Sequence, residues 1–175
     1  MGANNYFVVA GVPLDLEMER LRRLPVFASG PLSKRRPDLR VRRASRKPNR
    51  LGFAVPSEFR LSVTSYPGIR IGDVLETLVH ELTHLHVGRA DEARAWHGAS
   101  FKRALADAMS EAYGLMIPAP RSTRHGVYAE ALEHAASEAS RRMCASRSVE
   151  VEPDAAQRSR RPDLNRGPLH YERDI

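Results

Sequence analysis

The hydrophobic positions of this chain fall at helical spacing most clearly in its middle. Between residues 71 and 87 apolar side chains recur every three or four residues, at Ile71, Val74, Leu75, Leu78, Leu82 and Leu85. Gly88 and a polar stretch follow, as at the end of a helix. Asp73, with Glu76 three residues later, resembles a capping box at the start. The pattern therefore predicts a helix over residues 71–87 whose apolar stripe faces the core.

Other stretches predict further helices and several short strands. Residues 39–42 alternate apolar and basic side chains, which is typical of a strand with one solvent-facing side. Residues 51–55 and 58–63 are separated by the turn dipeptide Pro56-Ser57 and are predicted to pair as a hairpin. The remaining predictions are a strand over 6–12 and helices over 15–24, 100–113 and 127–146. The mixture predicts an α+β fold.

Four segments follow from this division. Residues 1–30 form an N-terminal segment, 31–118 the predicted core, and 119–149 the part that carries the last helix. Residues 150–175 are charged and poor in large apolar side chains, so they cannot bury enough surface to offset the entropy lost on ordering. We predict that this tail is disordered.

Composition narrows the class of protein. The 175 residues suit one modest domain with tails, and 28 Lys and Arg against 21 Asp and Glu give a net charge of +7, which favours contact with polyanions. The single cysteine, Cys144, excludes an internal disulfide and a cysteine-based zinc ribbon. There is no signal-peptide pattern and no apolar run of membrane-spanning length, so we expect a cytoplasmic location.

The candidate chemistry lies on the predicted central helix. His80-Glu-Leu-Thr-His84 places two imidazoles four residues apart, on one face of a helix and within reach of one metal ion. Nitrogen ligands at this spacing indicate zinc. Glu81 flanks such an ion without binding it, and it is placed to take a proton from a metal-activated water molecule and to protonate the leaving group.

A catalytic zinc site normally has a third protein ligand. His97 is the favoured candidate, because it stands at the start of the predicted helix 100–113 after a loop able to fold back. Asp91 or Glu92 remains an alternative as a carboxylate ligand. His86 follows His84 by only two residues, so on a continuing helix it points away from the ion.

These motifs resemble those of the SprT-like metallopeptidases, the group that includes the Spartan proteases. The resemblance rests on Thr-Leu-Val-His-Glu-Leu-Thr-His, which ends at His84, and on His-Gly-Ala-Ser-Phe-Lys, which begins at His97; it extends over residues 39–115. It implies that His80, His84 and His97 bind one zinc ion and that Glu81 is the catalytic acid and base.

The resemblance also implies a fold and a class of substrate. The fold would be zincin-like, with a small sheet packed against the catalytic helix, and strand 58–63 would be the edge that aligns a substrate peptide. Spartan-type members cleave proteins crosslinked to DNA and contact DNA through basic surfaces. Many relatives carry a cysteine zinc ribbon or another DNA-binding module after the protease core, and this chain has no such ribbon, which weakens the inference of DNA-dependent activity.

A basic segment offers a substitute for that module. Nine of residues 33–50 are Lys or Arg, enough to neutralise several phosphates, although a solvated basic strand or loop explains them equally well. The candidate nucleic-acid-binding residues are Arg40, Arg42, Arg43, Arg46, Lys47 and Arg50.

Three hypotheses for function follow. The first is a zinc metallopeptidase that acts on proteins or peptides, with DNA-associated proteins as candidate substrates. The second is a non-catalytic, nucleic-acid-binding module with a structural zinc ion or none. The third is a zinc hydrolase that acts on a bond other than a peptide. No pattern in the chain indicates a membrane partner or an oligomeric state.

Overall fold

The computed structural model of the chain describes residues 7–88, 97–115, 126 and 128–138. All of these residues belong to the unit Met1–Ser140. The elements in chain order are β1 (Val8–Val9), β2 (Val12–Pro13), α1 (Leu14–Leu21), α2 (Pro31–Lys34), β3 (Asp38–Arg43), β4 (Gly52–Val55), β5 (Arg60–Ser65), α3 (Ile71–Val87) and α4 (Ala99–Tyr113). A further helix over residues 129–138 is α5. The fold is α+β, with a small sheet and several helices, and the coarse prediction is confirmed.

The main sheet has three strands in the order β3-β5-β4. β3 pairs in parallel with β5, and β4 pairs antiparallel with it, so that Val41 and Gly52 both lie opposite Val63. Leu61 and Val63 of β5 lie in the core, and their β3 partners Leu39 and Val41 pack against the same core. The arginines of β3 are exposed. The strands predicted at 39–42, 51–55 and 58–63 are all present, and the last two form the predicted hairpin.

One prediction about this sheet is wrong. Strand 58–63 was expected to be the edge that aligns a substrate, but β5 lies in the middle of the sheet, hydrogen-bonded on both sides. The hairpin pairs one side of β5, and the basic strand β3 pairs the other. The edges are therefore β3 and β4.

Helix α3 is the centre of the molecule. Its bounds match the predicted helix 71–87, and it packs against β4, β5, α2 and α4. Because neighbours surround it, most of its polar residues are buried along with the apolar ones, Thr77, His80 and Glu81 among them. Polar side chains of α3 therefore reach an open surface only around the cleft described below.

The predicted capping box at the start of α3 is wrong. The N-cap residue is Arg70, which makes no side-chain cap, and its guanidinium instead donates to the Asp73 carboxylate at 3.1 and 3.2 Å. The Glu76 carboxylate accepts a hydrogen bond from the backbone N–H of Gly126 at 2.8 Å. Asp73 is thus engaged by its neighbour Arg70 and Glu76 by a residue far away in sequence, and a capping motif read from positions 73 and 76 alone anticipates neither contact.

The other helices agree with the predictions to within a few residues. α1 and α4 correspond to the predicted helices 15–24 and 100–113, and Gly114 ends α4 in the left-handed conformation, with φ at 69°. The predicted strand 6–12 is a hairpin instead, because β1 and β2 turn back at Ala10 and Gly11, both with positive φ.

Several predictions lie outside the described residues. These concern Tyr6, the candidate ligands Asp91 and Glu92, the last part of helix 127–146, Cys144 and the tail 150–175. Within the described part of the chain, no helix is both long and apolar enough to cross a membrane.

Candidate metal centre

Three imidazoles converge on one point between α3 and the start of α4. His80 and His84 lie one turn apart on α3, and His97 lies just before α4. Their Nε2 atoms are 3.1 Å (His80 to His97), 3.2 Å (His84 to His80) and 3.1 Å (His97 to His84) apart. The structure therefore brings together the three residues that the sequence put forward as ligands, and they could hold a metal ion.

The size of this triangle fits a tetrahedral metal site. Zinc bound to imidazole at about 2.0–2.1 Å separates neighbouring nitrogens by about 3.3–3.4 Å when the geometry is tetrahedral. The observed separations of 3.1–3.2 Å are only slightly shorter. A neutral imidazole carries a single N–H, so Nε2 atoms without a proton point their lone pairs at one another. A cation at the centre of the triangle would accept these lone pairs.

One aromatic ring supports all three histidines. Phe101 lies on the first turn of α4, is 1% exposed, and has its ring centroid 4.9 Å from His80, 4.4 Å from His84 and 4.8 Å from His97. Leu105 and Met109 bury the same helix in the core. The position of the third ligand is therefore tied to the packing of α4.

The nitrogen triangle opens into a cleft of about 490 Å³. One wall is formed by α3 and His97, and the other is formed by Arg50, Gly52, Phe53 and Ala54, in β4 and just before it. His84 and His97 are only partly buried, so one side of the triangle faces the cleft. A substrate in the cleft would lie between edge strand β4 and the three histidines.

Glu81 lies in the same cleft but outside the triangle. Its side chain is 3% exposed, and burial raises the pKa of its carboxyl to about 8, against the opposing influence of Arg50. A cation held by the histidines would lower this pKa, since it favours the charged carboxylate. Burial and a cation in the cleft would therefore shift this pKa in opposite directions.

The backbone of β4 approaches Glu81 closely at Gly52. A β-carbon at residue 52 would lie 2.5 Å from Glu81 Oε1 and 2.5 Å from Thr77 Cγ2. Only glycine fits there without a shift of the strand or of the carboxyl. Gly52 therefore allows β4 to form the wall of the cleft.

His86 lies outside the cluster, as expected for its position on the helix. Its ring packs against Phe27 with centroids 5.2 Å apart, and a side chain at Gly30 would collide with it. Its Nδ1 is buried without a hydrogen-bond partner among the described residues, and burial lowers the pKa of the ring. It is a packing residue on the far side of α3.

The structure divides the six candidate nucleic-acid-binding residues. Arg50 lines the cleft, and Arg40 pairs with Asp38 at 3.0 Å on β3. The others are exposed, at the end of β3 or in the loop after it, and form no ion pair with the described residues: Arg42, Arg43, Arg46 and Lys47.

Sequence reasoning missed the wall of the cleft and the supporting ring. Phe101 lies in the motif that begins at His97, and Gly52 lies in the predicted strand 51–55, but no sequence pattern predicted a role for either residue at the site. A glycine inside a strand pattern is a signal of close backbone approach, but it does not name the neighbour. Phe53, which is 43% exposed, also lines the cleft.

Comparison of the chain with protein-family models, curated proteins and solved structures found no match. An account of the site's function therefore rests on its residues and their geometry.

Proposed function

We propose that this chain is a zinc-dependent peptidase with a zincin-like fold, as its resemblance to the SprT-like metallopeptidases implies. One observation carries the proposal: three imidazole nitrogens converge within 3.1–3.2 Å beside a buried carboxyl, that of Glu81, in a single cleft. A metal-binding triangle and a proton-transfer group are the two parts that hydrolysis of this type requires.

Zinc is the metal that we assign to His80, His84 and His97. Three neutral nitrogen donors with a side open to a cleft are typical of catalytic zinc, whereas a structural site is usually closed by four protein ligands. Bound zinc would polarise the scissile carbonyl and lower the pKa of a water molecule in the cleft.

Glu81 performs the proton transfers in this proposal. Its carboxylate accepts a proton from the attacking water molecule, and the resulting acid donates it to the amine that leaves when the peptide bond breaks. Burial favours the protonated form that the second step needs. The absence of a side chain at Gly52 leaves room for the carboxyl beside β4.

Edge strand β4 supports alignment of a peptide substrate. β5 occupies one side of β4, and the residues Gly52, Phe53 and Ala54 line the cleft that holds the histidines. An extended peptide could add to the open side of β4 through backbone hydrogen bonds, which are indifferent to sequence. Phe53 would contribute apolar contact.

The test compares wild type with Glu81→Gln and His84→Ala, each loaded with zinc. Glu81→Gln is expected to keep one zinc ion per chain and to lose peptide cleavage, because glutamine cannot accept the proton. His84→Ala is expected to lose the metal, since it removes a ligand. Glu130→Gln and His134→Ala, exposed on α5, are the matched controls and should resemble wild type.

Zinc content by mass spectrometry and cleavage of an unfolded protein substrate give the two readouts. Loss of zinc from Glu81→Gln would contradict the role given to Glu81. Zinc binding without cleavage by wild type would favour the second hypothesis, a binding module with structural zinc, and a fourth protein ligand should then be found; Asp91 and Glu92 would be the first to test.

DNA-associated proteins are the substrate class favoured by the surface charge. Arg42, Arg43, Arg46 and Lys47 are exposed beside one another in sequence and could contact several phosphates. Cleavage of a basic DNA-binding protein is expected to rise when DNA is added, and the rise should fall with increasing salt. Cleavage that is the same with and without DNA would leave a general peptidase.

A further inference from the structure

Arg50 occupies a position in the cleft that its sequence context does not reveal. It belongs to the basic segment, yet its side chain lines the same cleft as the three histidines and Glu81. Among the described residues that line this cleft, Arg50 is the only Lys or Arg, and Glu81 is the only acid. A permanent positive charge therefore stands next to the proposed reaction centre.

The guanidinium of Arg50 is open to solvent and to the cleft. Arg50 is exposed to solvent, and it forms no ion pair or hydrogen bond with the described residues. By contrast, Arg20, Arg22, Arg36, Arg40, Arg60 and Arg70 all pair with acids. An unpaired guanidinium in a cleft presents a planar fork of donors that matches a carboxylate.

The backbone around Arg50 holds it at a fixed distance from the reaction centre. Leu51 is buried, and its carbonyl accepts a hydrogen bond from the N–H of Thr64 at 2.7 Å, which anchors the chain to β5. Two residues after Arg50, Gly52 packs against Glu81. Two residues of chain span at most about 7 Å, so the backbone of Arg50 lies close to Gly52 and hence to the proposed point of attack.

We infer that Arg50 is a specificity-determining residue that binds a carboxylate of the substrate close to the scissile bond. The carboxylate could come from an Asp or Glu side chain or from the free C-terminus of a peptide. Both sources offer the same two oxygens to the guanidinium, and a substitution can distinguish them. This inference rests on the proposed peptidase function.

A nucleic-acid phosphate suits this position less well. Polyanion binding gains affinity from several cations along one path, and Arg50 is the single cation among the described residues that line the cleft. The four exposed cations Arg42, Arg43, Arg46 and Lys47 do not line it. Arg50 therefore acts alone, which fits recognition of one carboxylate.

The experiment uses peptides that are identical except for the acidic group. Asp is moved through successive positions of a neutral fluorogenic peptide, with Asn at the same positions as the uncharged match, and each peptide is made with a free and with an amidated C-terminus. The proteins are zinc-loaded wild type, Arg50→Gln and, as the matched control, Arg103→Gln, an exposed residue on α4 outside the cleft.

Wild type is expected to prefer one acidic peptide over its neutral match by roughly 10- to 100-fold in kcat/KM, as for a hydrogen bond to a charged group. Arg50→Gln should abolish the preference, which is read as the ratio of kcat/KM for the acidic and the neutral peptide on the same protein, so that a general change in rate cancels. Arg103→Gln should keep the preference. Sensitivity to Asp position indicates a side-chain carboxylate, and sensitivity to amidation a terminal one.

Binding to the zinc-loaded Glu81→Gln variant separates this inference from the proposed function. The fluorescent acidic peptide should bind more tightly than its neutral match, and the additional substitution Arg50→Gln should remove the difference. This result stands even when no peptide is cleaved, an outcome that would overturn only the peptidase proposal. Equal loss for acidic and neutral peptides, or a loss of DNA binding alone, would overturn the carboxylate assignment.

Discussion

At the scale of single residues, the candidate site depends on one absent side chain. Gly52 lets the backbone of β4 lie against Glu81 and Thr77, both buried on α3. The carboxyl of Glu81 therefore lies between a helix and a strand, and these two elements determine its position. Small displacements of such a group cost rate far more than they cost stability.

We predict that Gly52→Ala will lower turnover by about tenfold or more while zinc remains bound. The added methyl group would lie 2.5 Å from Glu81 Oε1, so either the carboxyl or β4 must move. Peptide cleavage and zinc content, measured on the same preparation, check this. Full activity in Gly52→Ala would mean that β4 yields without disturbing Glu81.

At the scale of elements, α4 contributes to the metal site as well as to the core. It begins two residues after His97, and Phe101 on its first turn contacts all three histidine rings. Supporting groups of this kind orient metal ligands and typically change metal affinity by 10- to 100-fold, roughly, when they are altered. A change in the packing of α4 would therefore change the arrangement of the three histidines.

Phe101→Leu is expected to weaken zinc binding by about tenfold, because leucine leaves the imidazoles without a flat ring to pack on. The fold should survive, since hydrophobic exchange in a core usually costs about 1.5 kcal/mol or less. Competition with a chelating dye measures the affinity. Met109→Leu, equally buried on α4 but away from the cluster, is the control, and an equal effect from both would refute a local role for Phe101.

The contact between α3 and α5 also depends on a glycine. The N–H of Gly72 donates to the Glu133 carboxylate at 2.8 Å, and a β-carbon at residue 72 would collide with the backbone carbonyl of Ala129. Glycine within a helix is otherwise unfavourable by about 0.5–1 kcal/mol relative to alanine. Close packing of the two helices is the reason that it stands here.

Gly72→Ala should therefore lower the free energy of unfolding by about 1–3 kcal/mol, as overpacking does, although helix propensity alone would raise it. Urea denaturation of the full chain gives the free energy. Glu130→Ala, an exposed change on α5, should have little effect. A stabilised Gly72→Ala protein would show that α5 does not pack this tightly against α3.

At the scale of the whole molecule, a polar group joins the N-terminal helix to α4. The Glu17 carboxylate on α1 accepts hydrogen bonds from Arg20 at 2.6 Å and from the Tyr113 hydroxyl at 2.8 Å. Burial by itself would raise the pKa of Glu17, but the hydrogen bonds and the charge of Arg20 outweigh it, and the pKa is lowered from its ordinary value of 4.5. The ionised carboxylate therefore stabilises the folded chain.

This shift predicts a pH dependence of stability. A carboxyl whose pKa is lower in the folded state contributes its stability above the unfolded value and loses it as pH falls through the folded value. Glu17→Gln should therefore be less stable than wild type at pH 7, and the difference should shrink below pH 4.5. Urea unfolding of both proteins at pH 7 and at a pH below 4.5 tests this. A difference in free energy of unfolding that is the same at both pH values would exclude ionisation of Glu17 as its source.

Much of this structure could be predicted from local sequence patterns. Helix 71–87 was predicted with the bounds that the structure has, because its apolar spacing and terminal glycine are local signals. The three strands of the main sheet were each predicted to within two residues. The histidines at 80 and 84 share a face of any helix, so their pairing needs no tertiary information. His97 was one of several candidates, since a loop between two helices leaves its direction open.

Other features of the structure depend on long-range packing, so no local sequence pattern could predict them. Strand order made β5 central and β4 the edge beside the histidines, and the distant Gly126 N–H engages Glu76, which the expected capping box had assigned to the start of α3. The cleft wall at Arg50 and Gly52 arises because residues far apart in sequence meet across α3. Residue identity and spacing specify which groups could react, whereas packing of the sheet on the helix specifies which of them face one another.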